Sequence, residues 1–305
     1  MKTSEIIDII KDIKNLEILT DEPMTKHTSF KIGGLADVMV LPKTEEQIAE
    51  LLKRAKIHKI PVTVIGAGSN LLVSDLGIRG LTIKLGSPFS EITAEGDIIN
   101  AKSGASLAKI ASVALKNSLS GFEFASGIPG TLGGAVYMNA GAYGGEMKDV
   151  VIKTRFMDFE GNIFTLENNE HDFSYRHSFF DGKDDLIILS SEIKLQKGEK
   201  SEIEAKMLEL NKKRKEKQPL NYPSAGSAFK RPAHGYAAQL IEEAGLKGKK
   251  IGGAMVSKKH SGFIVNDGNA TAKDVEELIE FVKKAVYDKF KVELNPEVRK
   301  IGEEN

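Results

Sequence analysis

Val62-Thr63-Val64-Ile65-Gly66-Ala67-Gly68-Ser69-Asn70-Leu71 joins a short β-branched run to a glycine cluster. A second cluster follows later in the chain, Ser126-Gly127-Ile128-Pro129-Gly130-Thr131-Leu132-Gly133-Gly134-Ala135. The first stretch reads as a strand ending in a loop whose main-chain N–H groups are unshielded by side chains, as a phosphate or pyrophosphate requires. A dinucleotide-binding fingerprint is rejected, because the third glycine position holds Leu71 and Leu72-Val73-Ser74-Asp75-Leu76-Gly77 has no good helix pattern. The second cluster is too glycine-rich for one reverse turn and points to backbone approaching a flat or phosphorylated ligand. Each has a plainer reading by itself, a tight turn for the first and a buried glycine crossing for the second. Two such loops, the second leading into Met138-Asn139-Ala140-Gly141-Ala142-Tyr143-Gly144, are better explained by one large shared cofactor.

Around these loops the periodicity is clear. Thr44-Glu45-Glu46-Gln47 has the form of a capping box, and Ile48, Leu51, Leu52 and Ala55 give the following helix one buried face until Pro61 stops it. Leu107, Ile110, Ala111, Ala114 and Leu115 repeat at helical spacing after Gly104, whereas residues 120–145 are neither helix nor strand throughout. Segments 150–159, 162–166 and 186–195 favour strands, with Glu160-Gly161-Asn162 as the turn between the first two, so the middle third reads as an antiparallel α+β domain. A charged helix from Glu202 to about Lys217 precedes Pro219 and Pro223, which mark a boundary. Beyond it come a short helix ending at Gly245, a strand near Phe263-Val265, and a long helix opened by Thr271-Ala272-Lys273-Asp274. The last carries Val275, Leu278, Ile279, Val282 and Val286 on one face.

Composition excludes several classes of function. With 305 residues, 41% hydrophobic and 28% charged, the chain is long enough for two or three domains and too apolar for extended disorder. Lys+Arg and Asp+Glu number 43 each, so no global field draws it to nucleic acid or an anionic membrane. The N-terminal MKTSEIIDIIKDIKNLEIL lacks the apolar centre of a signal peptide or membrane span, which makes a cytoplasmic location the expectation. Without cysteine there is no disulfide, thiol nucleophile or thiolate metal site. His27, His58, His171, His177, His234 and His260 lack zinc-site spacing, no acid cluster reads as a calcium loop, and no metal is expected.

Gly66-Ala67-Gly68-Ser69-Asn70-Leu71-Leu72, Gly127 through Ala135, Ser174-Tyr175-Arg176-His177-Ser178, Ala225-Gly226-Ser227-Ala228-Phe229-Lys230, Ile251-Gly252-Gly253-Ala254, Phe263-Ile264-Val265-Asn266 and Pro296-Glu297-Val298 occur in that order. Together they resemble the UDP-N-acetylenolpyruvoylglucosamine reductase (MurB) family over nearly the whole chain, from Thr28 to Glu297. The resemblance implies an α+β protein with a two-part FAD-binding region of the vanillyl-alcohol-oxidase (PCMH) type and a C-terminal α+β substrate-binding domain. The corresponding division is 1–80 and 81–200 for FAD and 201–305 for substrate. It further implies non-covalent FAD, NADPH as hydride donor, and reduction of UDP-N-acetylglucosamine enolpyruvate to UDP-N-acetylmuramate for peptidoglycan synthesis. A monomer without nucleic-acid or membrane partners is expected.

By the same resemblance, Ser227 is the proton donor to the enolate, Arg176 polarises the substrate carboxylate, and Glu297 stabilises or orients the enol intermediate. Tyr175, Lys230 and Arg231 fall at substrate-binding positions. Gly66, Ala67, Gly68, Ser69, Asn70, Leu71, Ser126, Gly127, Ile128, Pro129, Gly130, Thr131, Gly133, Gly134, Ala135 and Asn139 form the expected cofactor set. Outside the family context these would be a turn serine, a surface arginine and a solvated acid. Little room separates Arg176 from Ser227, so the chain resembles the branch without a substrate-covering tyrosine loop, and Arg231 stands where other members have asparagine. The lysine runs 212–217 and 247–250 read as solvated faces, and His27 is not read as a covalent flavin tether. Two other readings stay open: a flavin oxidase acting on another small alcohol or acid, and a non-catalytic nucleotide-binding scaffold.

Overall fold

The Thr44 hydroxyl accepts the Gln47 N–H at 3.3 Å and opens the helix Glu45–His58, which buries Ile48, Leu51, Leu52 and Ala55. A cap of this kind contributes about 1 kcal/mol. Lys59, with φ +55°, turns the chain out of the helix ahead of Pro61. The computed structural model describes residues 1–303, which form two compact units. The first holds residues 1–20, 38–67 and 80–214, and the second holds 21–37, 68–79 and the described residues from 215 onward. These differ from the contiguous three-part division read from the sequence: 21–37 and 68–79 group with the C-terminal stretch.

Two cores organise the first unit. In one, the amino-terminal helix Thr3–Ile10 and the helix Glu45–His58 contribute Ile6, Ile10, Leu51 and Leu52, which cluster with Val38, Val40, Leu81 and Ile83. The strand Val62–Ile65 runs parallel to Ile78–Lys84, with Ile65 opposite Lys84, in a four-stranded sheet completed by Leu35–Leu41 and Glu17–Pro23. The other core packs Leu107–Lys116 and Leu132–Tyr137 on an antiparallel five-stranded sheet. Its order is Ile163–Glu167, Val151–Asp158, Leu186–Lys194, Ile98–Lys102, Ile92–Glu95. The three strands expected in the middle third are therefore present, with Gly161 at φ +87° in the turn between the first two.

Inside that sheet lies a buried polar chain. Thr154 faces Ser191 across the strands with their hydroxyls 2.9 Å apart, and His171 Nε2 is 2.8 Å from the Thr154 hydroxyl. His171 Nδ1 lies 2.8 Å from the Glu167 carbonyl, which can only accept, so Nδ1 carries the proton and Nε2 accepts from Thr154. Burial holds the His171 pKa below its ordinary value of 6.5, since the cation would be desolvated. The unfolded chain therefore binds the extra proton first as pH falls through 6.5. Stability present above that pH is lost below it, until the folded histidine also titrates. The melting temperature is expected to drop between pH 7 and 5, and His171→Gln to show a shallower drop; equal slopes in both proteins would rule this group out.

The second unit is an antiparallel sheet, in the order Ser224–Ser227, Phe263–Asn266, Ala254–Val256, Lys250–Ile251, with the helices Ala237–Glu243 and Ala272–Phe290. Val275, Leu278, Ile279, Val282 and Val286 join Phe30, Ile32 and Leu72 in its core. Each such buried aliphatic contributes roughly 1.5–3 kcal/mol. Thr271 and Asp274 form the expected capping box, and Asp75 adds a distant cap, its carboxylate accepting from Ala272 N at 2.8 Å and Lys273 N at 3.1 Å. Leu71–Val73 forms a strand, parallel to Arg299–Ile301. Among the described residues no helix is long and apolar enough to cross a membrane.

Candidate functional site

In the first unit the two glycine loops meet. A methyl group at Gly66 would run into the Thr131 hydroxyl, so the strand Val62–Ile65 can deliver the chain beside the second loop only through a residue without Cβ. Gly133 stands equally close to Ser103: an added Cβ would lie 2.9 Å from Ser103 Cβ, while Gly133 N donates to Ser103 O at 2.8 Å. Leu132 N donates to Ala105 O at 2.8 Å, which pins the start of the helix Leu132–Tyr137. The buried Ser103 hydroxyl has no hydrogen-bond partner among the described residues. A glycine-walled surface with a buried hydroxyl still to be satisfied fits the non-covalent FAD expected from the sequence. Ser103 carries no sequence signal of its own and was not among the expected contacts.

Gly66→Ala is expected to destabilise the loaded protein by about 1–3 kcal/mol, because a new methyl meets a fixed hydroxyl. Adding Thr131→Ala should restore melting temperature and flavin retention through gel filtration. A double variant as weak as Gly66→Ala alone would show that the two loops are not in contact as described.

Beside the second loop, the Asn211 amide reaches the Ser126 hydroxyl at 3.4 Å, and Gly127 leaves room for Asn211 and Arg214 of the helix Lys200–Lys217. The neighbouring lysines 212, 213, 215 and 217 are exposed, as expected for a solvated face. Arg214 departs from that reading. It is half-buried, and desolvation pushes its guanidinium pKa down.

Arg176 and Tyr175 occupy the centre of a tight turn, with Ser174 and His177 exchanging two backbone hydrogen bonds of 3.2 Å. Arg176 has φ +56°, a region that costs a side-chain-bearing residue about 1–2 kcal/mol. Its guanidinium carbon lies 5.0 Å from the Tyr175 ring centre, a cation–π contact that steers the charge over the exposed ring. Asn139, expected as a cofactor contact, is fully buried and donates from its amide to Ser174 O and Glu146 Oε2, both at 2.9 Å.

In the second unit the strand Ser224–Ser227 is irregular: Ser224 pairs with Val265 and Ser227 with Phe263, and Gly226 at φ +80° absorbs the bulge. Such a bulge re-aims the side chain that follows it. Ala228 O then accepts Glu297 N at 2.9 Å, and Lys230 N donates to Asn295 O at 2.8 Å. Ser227 and Glu297 are thereby brought to neighbouring positions on adjacent backbone segments, with Lys230 half-buried on the same segment. Asn70, at the end of the first glycine loop, donates to Glu297 O at 3.1 Å and accepts from Arg299 N at 2.9 Å. Gly68, at φ +65°, accepts Ser29 N at 3.2 Å through its carbonyl. The exposed Arg231 guanidinium stacks 4.8 Å from the Tyr236 ring, and His27 Nε2 lies 2.9 Å from Glu22 Oε1. No group of three or more His, Cys, Asp or Glu able to hold a metal ion occurs among the described residues.

The expected site residues thus form two local sets. Gly66, Ala67, Ser126–Ala135, Asn139, Tyr175 and Arg176 belong to the first unit, and Gly68–Leu71, Ser227, Lys230, Arg231 and Glu297 to the second.

Residues 218–301 match the model of the UDP-N-acetylenolpyruvoylglucosamine reductase C-terminal domain, and residues 36–167 match an FAD binding domain. A protein of Caldanaerobacter subterraneus subsp. tengcongensis named UDP-N-acetylenolpyruvoylglucosamine reductase is 55% identical over 299 residues, 98% of each chain. Another of that name from Clostridioides difficile is 51% identical over 298 residues, again 98% of each. Among solved structures, UDP-N-acetylenolpyruvylglucosamine reductase (MurB) from Thermus caldophilus gives a TM-score of 0.79 at 34% identity, covering 94% of this chain and 98% of that one. An alkyldihydroxyacetonephosphate synthase structure, at 15% identity and TM-score 0.50 over 64% of this chain and 40% of its own, shares the fold of the FAD-binding region. The fold class is α+β, with a two-part FAD-binding region of the PCMH type and a C-terminal substrate domain.

Proposed function

This chain belongs to the UDP-N-acetylenolpyruvoylglucosamine reductase family, and from that premise we propose that Ser227, Arg176 and Glu297 carry the substrate half of its reaction. The protein is an FAD-dependent oxidoreductase that uses NADPH to reduce UDP-N-acetylglucosamine enolpyruvate to UDP-N-acetylmuramate, a step of peptidoglycan synthesis. FAD, held by this chain, would supply the two-electron relay between NADPH and the enolpyruvyl double bond. Substrate, NADPH and one proton become the D-lactyl ether and NADP⁺.

Hydride at the terminal carbon leaves negative charge on the carbon beside the carboxylate. Arg176 grips that carboxylate with its forked guanidinium and spreads the charge into a cation. Ser227 gives its hydroxyl proton to the carbon bearing the charge. A serine is a poor acid in water, so this transfer relies on enforced proximity and on hydrogen bonds that strengthen as the alkoxide develops. Glu297 orients the enol and the Ser227 hydroxyl. The observation that carries the assignment is the register joining Ala228 to Glu297 at 2.9 Å, preceded by the bulge at Gly226, which supports a proton donor and an acid acting on one group.

Tyr175, Lys230 and Arg231 hold the sugar nucleotide, and the glycine loops with Asn70 and Ser103 hold FAD. In this reading 1–80 and 81–200 serve the cofactor and 201–305 the substrate. The enzyme works as a cytoplasmic monomer without nucleic-acid or membrane partners.

Anaerobic visible spectra provide the test. The purified protein should show a flavin band that NADPH bleaches and the enolpyruvyl sugar nucleotide restores. Bleaching without recovery would remove the substrate, and absence of a flavin band after adding FAD would overturn the whole reading.

A further inference from the structure

We infer that Asn139 is a positioning residue that holds the Arg176 turn in its working conformation. The inference rests on the reading of Arg176 as the carboxylate-gripping group and extends it to the residue that supports it. The turn Ser174–His177 carries two 3.2 Å backbone bonds, and Arg176, neither glycine nor asparagine, sits in it at φ +56°. A side chain from outside the turn helps to fix it. Asn139 does so from a fully buried position, with its amide donating to Ser174 O at 2.9 Å and to Glu146 Oε2 at 2.9 Å, and its Oδ1 accepting Lys148 N at 2.9 Å.

Those bonds commit both amide protons to protein acceptors, one of them in the turn itself. Asn139 itself has φ +45°, which asparagine tolerates better than other side-chain-bearing residues. Glu146 completes the arrangement. Its carboxylate lies 2.9 Å from Lys148 Nζ and within electrostatic reach of Arg176, so the turn's cation faces an anion that Asn139 also holds. A hydrogen-bonded carbonyl at Ser174 and a fixed anion nearby together restrict where the guanidinium can go.

Asn139→Gly deletes the amide while keeping a residue at ease at positive φ. In the FAD-loaded enzyme it is expected to slow reoxidation by the enolpyruvyl sugar nucleotide by up to about 100-fold and to weaken that nucleotide's binding in calorimetry. The rate of reduction by NADPH and the flavin content should stay unchanged. Combined with Arg176→Asn, it should be no slower than Arg176→Asn alone, because both changes disable one group. Lost flavin, slowed NADPH reduction, or effects that multiply in the double variant would overturn the inference. If Arg176→Asn alone left reoxidation intact, the Arg176 reading itself would fall, an outcome distinct from those. Should Asn139→Gly not fold, Asn139→Asp keeps the size, loses the donor to Ser174 O, and is held to the same outcomes.

Discussion

Ser227→Ala is expected to slow reoxidation of the reduced enzyme by the enolpyruvyl substrate by about 10²–10⁴-fold, the usual contribution of a general acid. Reduction by NADPH should remain within about twofold of the native rate, since that half-reaction needs no proton from residue 227. The substitution is structurally mild: it removes one oxygen at a half-buried position between the small residues Gly226 and Ala228, and the backbone bonds of Ala228 to Gly262 and Glu297 do not depend on it. Stopped-flow absorbance of the two half-reactions reads both rates on one preparation. Equal loss in both would refute the proton-donor role and point to a general defect of the fold. A native reoxidation rate would transfer the role to another group.

Arg176→Asn should separate stability from activity. The native arginine holds φ +56° at a cost that asparagine largely avoids, so the melting temperature is expected to stay level or to rise by an amount equivalent to up to about 1 kcal/mol. Reoxidation by the substrate should nevertheless fall by about 10²–10³-fold, the loss expected when a charge-assisted, forked contact to a carboxylate is removed. Melting curves and the same half-reactions provide both readouts. A variant that is less stable and fully active would place the reason for the strained backbone elsewhere than in substrate binding.

What could be read in advance and what could not divide along one physical line. Helices announce themselves locally: Thr44 with Gln47, and Thr271 with Asp274, are cap and partner three residues apart, and the apolar stripes after them fix the buried faces. Contacts between distant segments leave no such trace. Nothing near Asp75 says that its carboxylate caps a helix beginning at Ala272, and nothing near Leu71 says that Arg299–Ile301 lies beside it. The glycine loops were visible as loops, but the reason for Gly66, the Thr131 hydroxyl, is a tertiary fact. The amino-terminal helix leaves a weak local trace because its stripe is short, Ile6 and Ile10 being its buried residues among mixed charges. The turn at Arg176 was hidden because arginine does not advertise positive φ as glycine would. Ser103 is a single unremarked hydroxyl until Gly133 is seen beside it.

The chain changes unit five times, after residues 20, 37, 67, 79 and 214. A crossover gene that exchanged everything beyond residue 214 would therefore not deliver a finished module. The incoming segment would lack native partners for Phe30 and Leu72 in its core, for Asp75 at its long helix, and for the strand Leu71–Val73. To pass on the second unit whole, three stretches of sequence, 21–37, 68–79 and the one beginning at 215, must be inherited together.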